Sequence, residues 1–259
     1  MNGAFGFHGF GVALAFETRK AAASRVMVSI TVLLLAGVAA IALGMLIAAA
    51  SGQDQVLAKL GPLAELDGWA RLVGVVVQVT AAGGLGAFGV ALSWMFGREF
   101  ADGTVSALFA LPVSRPTIAL AKLAVFGVWA AGVAVLLTVV IGVLGFAMGL
   151  GATDAAGLGE LARVPVLAVL TALIAVPAAW AATIGRGLLP GIGVTVVIMI
   201  VAQVLAVSDL GTWLPIVAPA LWAIAPGSVP AAALLTVPSV PLVFGALCAL
   251  AWRRLQLDR

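Results

Sequence analysis

Residues 26–50 read VMVSITVLLLAGVAAIALGMLIAAA, an apolar run without a single charged side chain. A hydrocarbon layer about 30 Å thick is crossed by roughly 20 helical residues rising about 1.5 Å each, so this run is long enough to span a bilayer. One or two soluble domains would be the ordinary reading of 259 residues, but composition excludes it. Apolar residues make up 64% of the chain and charged residues 9%, against about 45–50% and about 25% in an average soluble chain. That leaves too little polar surface to cover a water-soluble globule. The chain reads as an all-α integral membrane protein, and collagen, disulfide scaffold, disordered tail and cytosolic enzyme are set aside.

Five further runs qualify: 71–96, 117–150, 164–184, 190–207 and 231–252. With 26–50 they predict six transmembrane helices in one transmembrane domain. The run 117–150 is longer than a crossing needs, so its excess is expected to tilt or to project into water at the Lys122 end. Between the fifth and sixth spans, 208–230 is apolar but carries Pro215, Pro219, Pro226 and Pro230. Each proline removes a backbone donor and blocks a helical turn. The stretch is expected to form broken, partly re-entrant or interface-lying helices, with Trp213 and Trp222 at headgroup depth. An interfacial loop is the plainer alternative.

Lysine and arginine placement sets the orientation. With the N-terminus inside, ten basic residues fall on cytosolic segments and only Lys59, Arg71 and Arg163 on outer ones. Both termini are expected to be cytosolic, in a cell inner or plasma membrane. Residues 1–25 are expected to include an interfacial helix, on which Phe10, Leu14 and Glu17 share a face. Ala21-Ala22-Ala23-Ser24 precedes the first apolar run instead of following it, so no cleavable signal peptide is expected.

The chemistry the chain lacks is equally informative. No GxxxxGK[ST] phosphate loop and no HExxH occur, and the single histidine, His8, precedes the first span. The single cysteine, Cys248, excludes an intrachain disulfide. Scattered bases and a formal charge of +3 give no nucleic-acid footprint. All ten carboxylates fall in predicted loops or at span ends, whereas ion-coupled transport usually relies on an ionisable residue kept inside the bundle. No cofactor or metal is expected on this chain, and any motor should be another molecule. A secondary transporter or channel is the rival reading.

The segment 97–116 is the most specific cytosolic connection. Arg98 and Glu99 are read as leaving the membrane at the end of span two. Asp102-Gly103 is a turn signal. Thr104 or Asp102 can cap a short helix, 105–110, on which Val105, Leu108 and Phe109 share one face. Pro112 ends it, and Ser114 can cap span three with Pro116 in its first turn. Such an amphipathic helix can float in lipid or dock into a cytosolic partner.

In arrangement this resembles the permease subunits of type-2 ATP-binding-cassette (ABC) exporters, a family that includes drug, antibiotic-peptide and polysaccharide exporters. There the second and third spans flank a glutamate, a Gly-Thr pair, a short helix and a Pro-x-Ser-Arg turn. Here Glu99, Gly103-Thr104 and Pro112-Val113-Ser114-Arg115 stand in that order. Asp102, Val105 and Ala107 depart from it, standing where many relatives carry glutamate and arginine. The resemblance implies one half of a dimeric pore, completed by a second permease copy or paralogue. A separate cytosolic ATPase subunit would hold ATP and Mg, and segment 99–112 would be the coupling helix. The stretch 208–230 would cap the exit.

Within the spans, Gln78, Thr80 and Gln203 are candidates for the translocation path, which suits a hydrophobic or amphipathic cargo. Gln78 and Gln203 are costly to place in lipid and should face the interior or the other protomer. The small-residue runs 81–89 and Gly145-x-x-x-Gly149 point to close helix contacts, either inside the bundle or at a dimer seam.

Overall fold

The computed structural model describes residues 3–105 and 113–256. Its described elements are helical, with no strand among the described residues. Helix α1 (Gly3–Ala22) is followed, after the Ser24 cap, by α2 (Arg25–Ala50), a short α3 (Asp54–Leu60) and a 3-10 turn at Gly61–Glu65. Then come α4 (Gly68–Ala101), α5 (Arg115–Ala147), α6 (Ala155–Ile174), α7 (Pro177–Ile184) and α8 (Leu188–Leu205). A second 3-10 turn at Asp209–Trp213 leads to α9 (Ala218–Ile224), α10 (Ala231–Leu234) and α11 (Ser239–Arg254). Six segments are long and apolar enough to cross a membrane: α2, α4, α5, α6 with α7, α8, and α10 with α11.

Boundaries differ from the apolar runs where polar residues continue a helix. The fourth span starts at Ala155 instead of 164, because Asp154 caps it by accepting from the Gly157 amide at 2.7 Å. Glu160 and Arg163 then pair one turn apart and carry the helix onward. Arg163, expected in an outer loop, therefore lies about 12 Å along α6. Pro177 opens α7 at a break in that span.

Helix α4 is the central post. Val73, Val75, Val76, Val77, Phe88, Leu92 and Phe96 are all buried, and α2, α6, α7 and α8 pack around it. Its glycines explain how closely α8 approaches. A Cβ on Gly97 would meet the backbone of Gly187 and Leu188 at 2.6 Å, and one on Gly89 would overlap Thr195. A Cβ on Gly145 would likewise overlap Trp69. At Gly89 and Gly145 the small-residue patterns let helices come close inside the bundle, whereas Gly83 and Gly149 have open space beside them. Ser93, Thr138, Thr183 and Thr195 bond back to carbonyls of their own helices at 2.7–2.9 Å, as hydroxyls within helices commonly do.

The stretch 208–230 is broken as its prolines dictate. Pro219 stands in the first turn of α9, and Pro230 caps α10. It does not lie loose: Val217, Ala218 and Ala223 are buried, and α9 packs against α4 and α6.

Candidate functional site

Helix α1 buries polar as well as apolar side chains on one face. Ala13 and Glu17 are buried and Phe10, Leu14, Lys20 and Ala21 half-buried, at helical spacing. The face turned to the protein thus includes two charges. It packs against α5, beside the last turn of α4.

Three elements meet there. Lys122, about 10 Å into α5, donates from Nζ to Glu17 Oε2 at 2.9 Å, Glu99 Oε1 at 2.9 Å and the Met95 carbonyl at 3.2 Å. Its three donors are all used. Lys20 donates to Glu17 Oε1 at 3.1 Å and also to Glu99. The exposures are 1% for Lys122, 2% for Glu99 and 3% for Glu17. Burying charge is tolerated only when it is paired and hydrogen-bonded. Two carboxylates against two ammonium groups meet that condition.

Glu99 is the hub. Its second oxygen, Oε2, accepts from Thr104 Oγ1 at 2.7 Å. One carboxylate therefore binds α1 through Lys20, α5 through Lys122, and the beginning of the hairpin through Thr104. The backbone reinforces this turn: the Asp102 amide donates to the Arg98 carbonyl at 2.8 Å and the Thr104 amide to the Glu99 carbonyl at 3.0 Å. Gly103 takes φ +65°, the left-handed conformation in which glycine commonly ends a helix. Arg98 lies over the Trp94 ring, 4.5 Å from its centroid, and Asp102 is exposed.

The far foot of the hairpin is also tied. Ser114 caps α5, its hydroxyl accepting from the Thr117 amide at 3.3 Å, with Pro116 in the first turn as expected. Arg115 Nη1 donates to the Leu255 carbonyl just past α11. Arg186 Nη2 donates to the neighbouring Gln256 carbonyl at 3.3 Å. Trp252 of α11 packs edge-on against Phe96 and Phe100 of α4 and donates to Thr183 at 3.1 Å.

Several expectations are corrected. Lys122 does not project into water, and Glu99 does not leave the bundle; both turn inward because each supplies the other's countercharge. Carboxylates at helix ends are thus not all solvated, since Glu17 and Glu99 are buried. Glu17 and Lys20 escaped selection as site residues because a charge on a terminal helix ordinarily faces water. The available signal was Glu17 falling on the same face as Phe10 and Leu14. Val105 is buried, whereas Leu108, Phe109 and Pro112 lie outside the described residues, as does most of the short helix expected at 105–110. Of the path candidates, Gln203 is exposed on α8 and Gln78 half-buried on α4. The Gln78 Oε1 is buried with no hydrogen-bond partner among the described residues. Thr80 is 1% exposed, near Gly84 and Thr171 where α4 meets α6, and faces no open surface. No three His, Cys, Asp or Glu side chains among the described residues converge in a way that could hold a metal ion.

The sequence model of a family described as ABC-2 family transporter protein matches residues 13–202. That is most of the chain, and the chain belongs to this family. The match takes in α1 from Ala13, the ionic cluster and the hairpin, and ends before the broken stretch 208–230. No curated protein matches the chain in sequence.

Proposed function

We propose that this ABC-2 family membrane protein is the permease subunit of an ATP-driven exporter, pairing with a second permease copy or a paralogue to form the translocation path. ATP and Mg are bound and used by a separate cytosolic subunit, which docks on segment 99–112. The observation carrying this reading is the hub at Glu99. A partner that displaces the hairpin pulls on a carboxylate bonded by buried charges to α1 and α5, so the displacement reaches the bundle. A switch needs an element whose arrangement the partner's nucleotide state can bias, and a hairpin with both feet tied to other helices provides one. With the hairpin in the cytosol, the excess of lysine and arginine on that side puts both termini there.

An apolar groove of about 360 Å³ runs between α2 and α4, lined by Ile30, Leu33, Leu34, Gly83, Gly86 and Val90. Gln78 and Thr80 flank Val79 of this lining in sequence, and a path with so few polar groups suits a hydrophobic or amphipathic cargo.

Buried carboxylates also suggest a second reading, a proton-coupled secondary transporter. Against it, Glu17 and Glu99 are each held by lysines, with charges balanced two against two. In vesicles carrying the permease and its ATPase, an uncoupler should leave transport intact and vanadate should stop it. Glu99→Gln should keep the complex assembled while lowering cargo-stimulated hydrolysis at least fivefold. Transport abolished by the uncoupler, and persisting without any nucleotide-hydrolysing partner, would establish the rival.

A further inference from the structure

At the end of the bundle opposite the hairpin, one cation is buried under different terms. Arg163 of α6 is 8% exposed. Its Nη1 donates to the carbonyl of Ala223 at 2.8 Å, in the last turn of α9, and Nη2 pairs with Glu160 on its own helix. The Nε is buried with no partner among the described residues. An ionisable side chain inside a span is costly and marks a functional position by default.

The contact joins a transmembrane helix to the proline-broken stretch through one hydrogen bond. The acceptor is a carbonyl at a helix C-terminus, where the helix can no longer satisfy it and a cation is favoured. Glu160 is only partly covered, with its side chain 32% exposed. If Ala223 moved away, the guanidinium would keep this countercharge while water reached its freed donor. The bond can therefore break without stranding a buried charge.

We propose that Arg163 is the positioning residue that latches α9 over the exit, released when the path opens outward. This rests on the exporter reading and on 208–230 facing the outside. The broken stretch has two apolar seats: Ala218, Val229 and Ala233 form a minor buried cluster of their own, while Ala223 belongs to the main core with Ile216, Trp222 and Ile224 packed against it. The Arg163 bond lands on Ala223, where the stretch enters the main core, so it adds directly to the contact that must part for the stretch to lift. Glu160 serves as the guanidinium's resting partner.

The lone cysteine makes the test direct. With Cys248→Ser as background, Val229→Cys places a buried reporter in the broken stretch, in the cluster with Ala218 of α9, and Ser228→Cys places an exposed one next to it. Intact cells expressing the permease with its ATPase are treated with a membrane-impermeant maleimide. Ser228→Cys should react quickly whether or not Arg163 is present. Val229→Cys should react slowly with Arg163, at least tenfold faster with Arg163→Gln, and at an intermediate rate with Arg163→Lys, which keeps one donor for Ala223. Equal Val229→Cys rates in all three overturn the latch while leaving the exporter reading untouched. A Ser228→Cys reporter that reacts only after permeabilisation overturns the outward placement, and with it the exit assignment. Should Arg163→Gln not reach the membrane, Arg163→Lys alone decides, its rate needing to exceed the parent's at least threefold.

Discussion

The two ends of this bundle bury cations in opposite ways. At the hairpin end, Lys122 faces two carboxylates and a carbonyl, and Lys20 closes the set. At the other end, Arg163 has one carbonyl across the gap, one partly exposed carboxylate on its own helix and an Nε with no partner among the described residues. The first arrangement cannot lose a member without leaving charge buried and unpaired. The second can lose its cross-helix bond and keep its ion pair. A transporter driven from one side needs both kinds of joint, one that carries displacement without slipping and one that yields.

The sharpest way to break the contrast is Lys122→Met. It strands Glu17 and Glu99 beside each other with only Lys20 between them. Removing one partner of a buried pair costs about 3–5 kcal/mol, so a large fall in melting temperature of the detergent-solubilised protein is expected. Combining Lys122→Met with Glu17→Gln and Glu99→Gln should restore part of that loss, because the stranded charges disappear. The wild-type melting point should depend little on salt, since buried pairs are screened far less than exposed ones. A loss under about 1 kcal/mol for Lys122→Met would mean that the cluster behaves as a surface pair.

Next in size is Arg163→Gln. It removes one charge-assisted hydrogen bond, worth about 1.5–3 kcal/mol, but leaves no unpaired charge in the interior, because Glu160 can turn to water. A melting shift clearly smaller than that of Lys122→Met is expected. Equal losses would erase the distinction between the fixed joint and the releasable one.

Apolar run length made the six spans legible, and the prolines of 208–230 foretold its broken helices. Ser114 and Pro116 announced the start of α5, and Gly103 the end of α4. The ionic cluster was less legible because its members are far apart in sequence: Glu17, Glu99 and Lys122 converge only when α1 folds back along α5. Taken singly, each looks like a charge flanking a span, and positive-inside reasoning assigns such residues to water. Arg163 was misplaced for a related reason. Reading spans as uninterrupted apolar runs ends the fourth one at the first charge, whereas an i,i+3 Glu–Arg pair lets the helix carry both groups inward. What sequence patterning resolves poorly is charge neutralised by charge.

The finest test separates stability from transmission at the Glu99 hub. Thr104→Val keeps the shape of the side chain but removes its hydrogen bond to Glu99 Oε2, leaving Lys20 and Lys122 in place. Thr104 is exposed and its hydroxyl is neutral, so the stability loss should be about 0.5–1.5 kcal/mol, the smallest of the three. Its effect on coupling should be larger in proportion, because this bond is the side-chain tie between the hub and the first residues of the hairpin. Cargo-stimulated hydrolysis by the assembled complex should fall at least twofold, while basal hydrolysis and subunit association stay unchanged. If stimulation is untouched while Glu99→Gln still abolishes it, the hub acts on α1 and α5 alone, and the hairpin draws its stiffness from the backbone turn at Gly103.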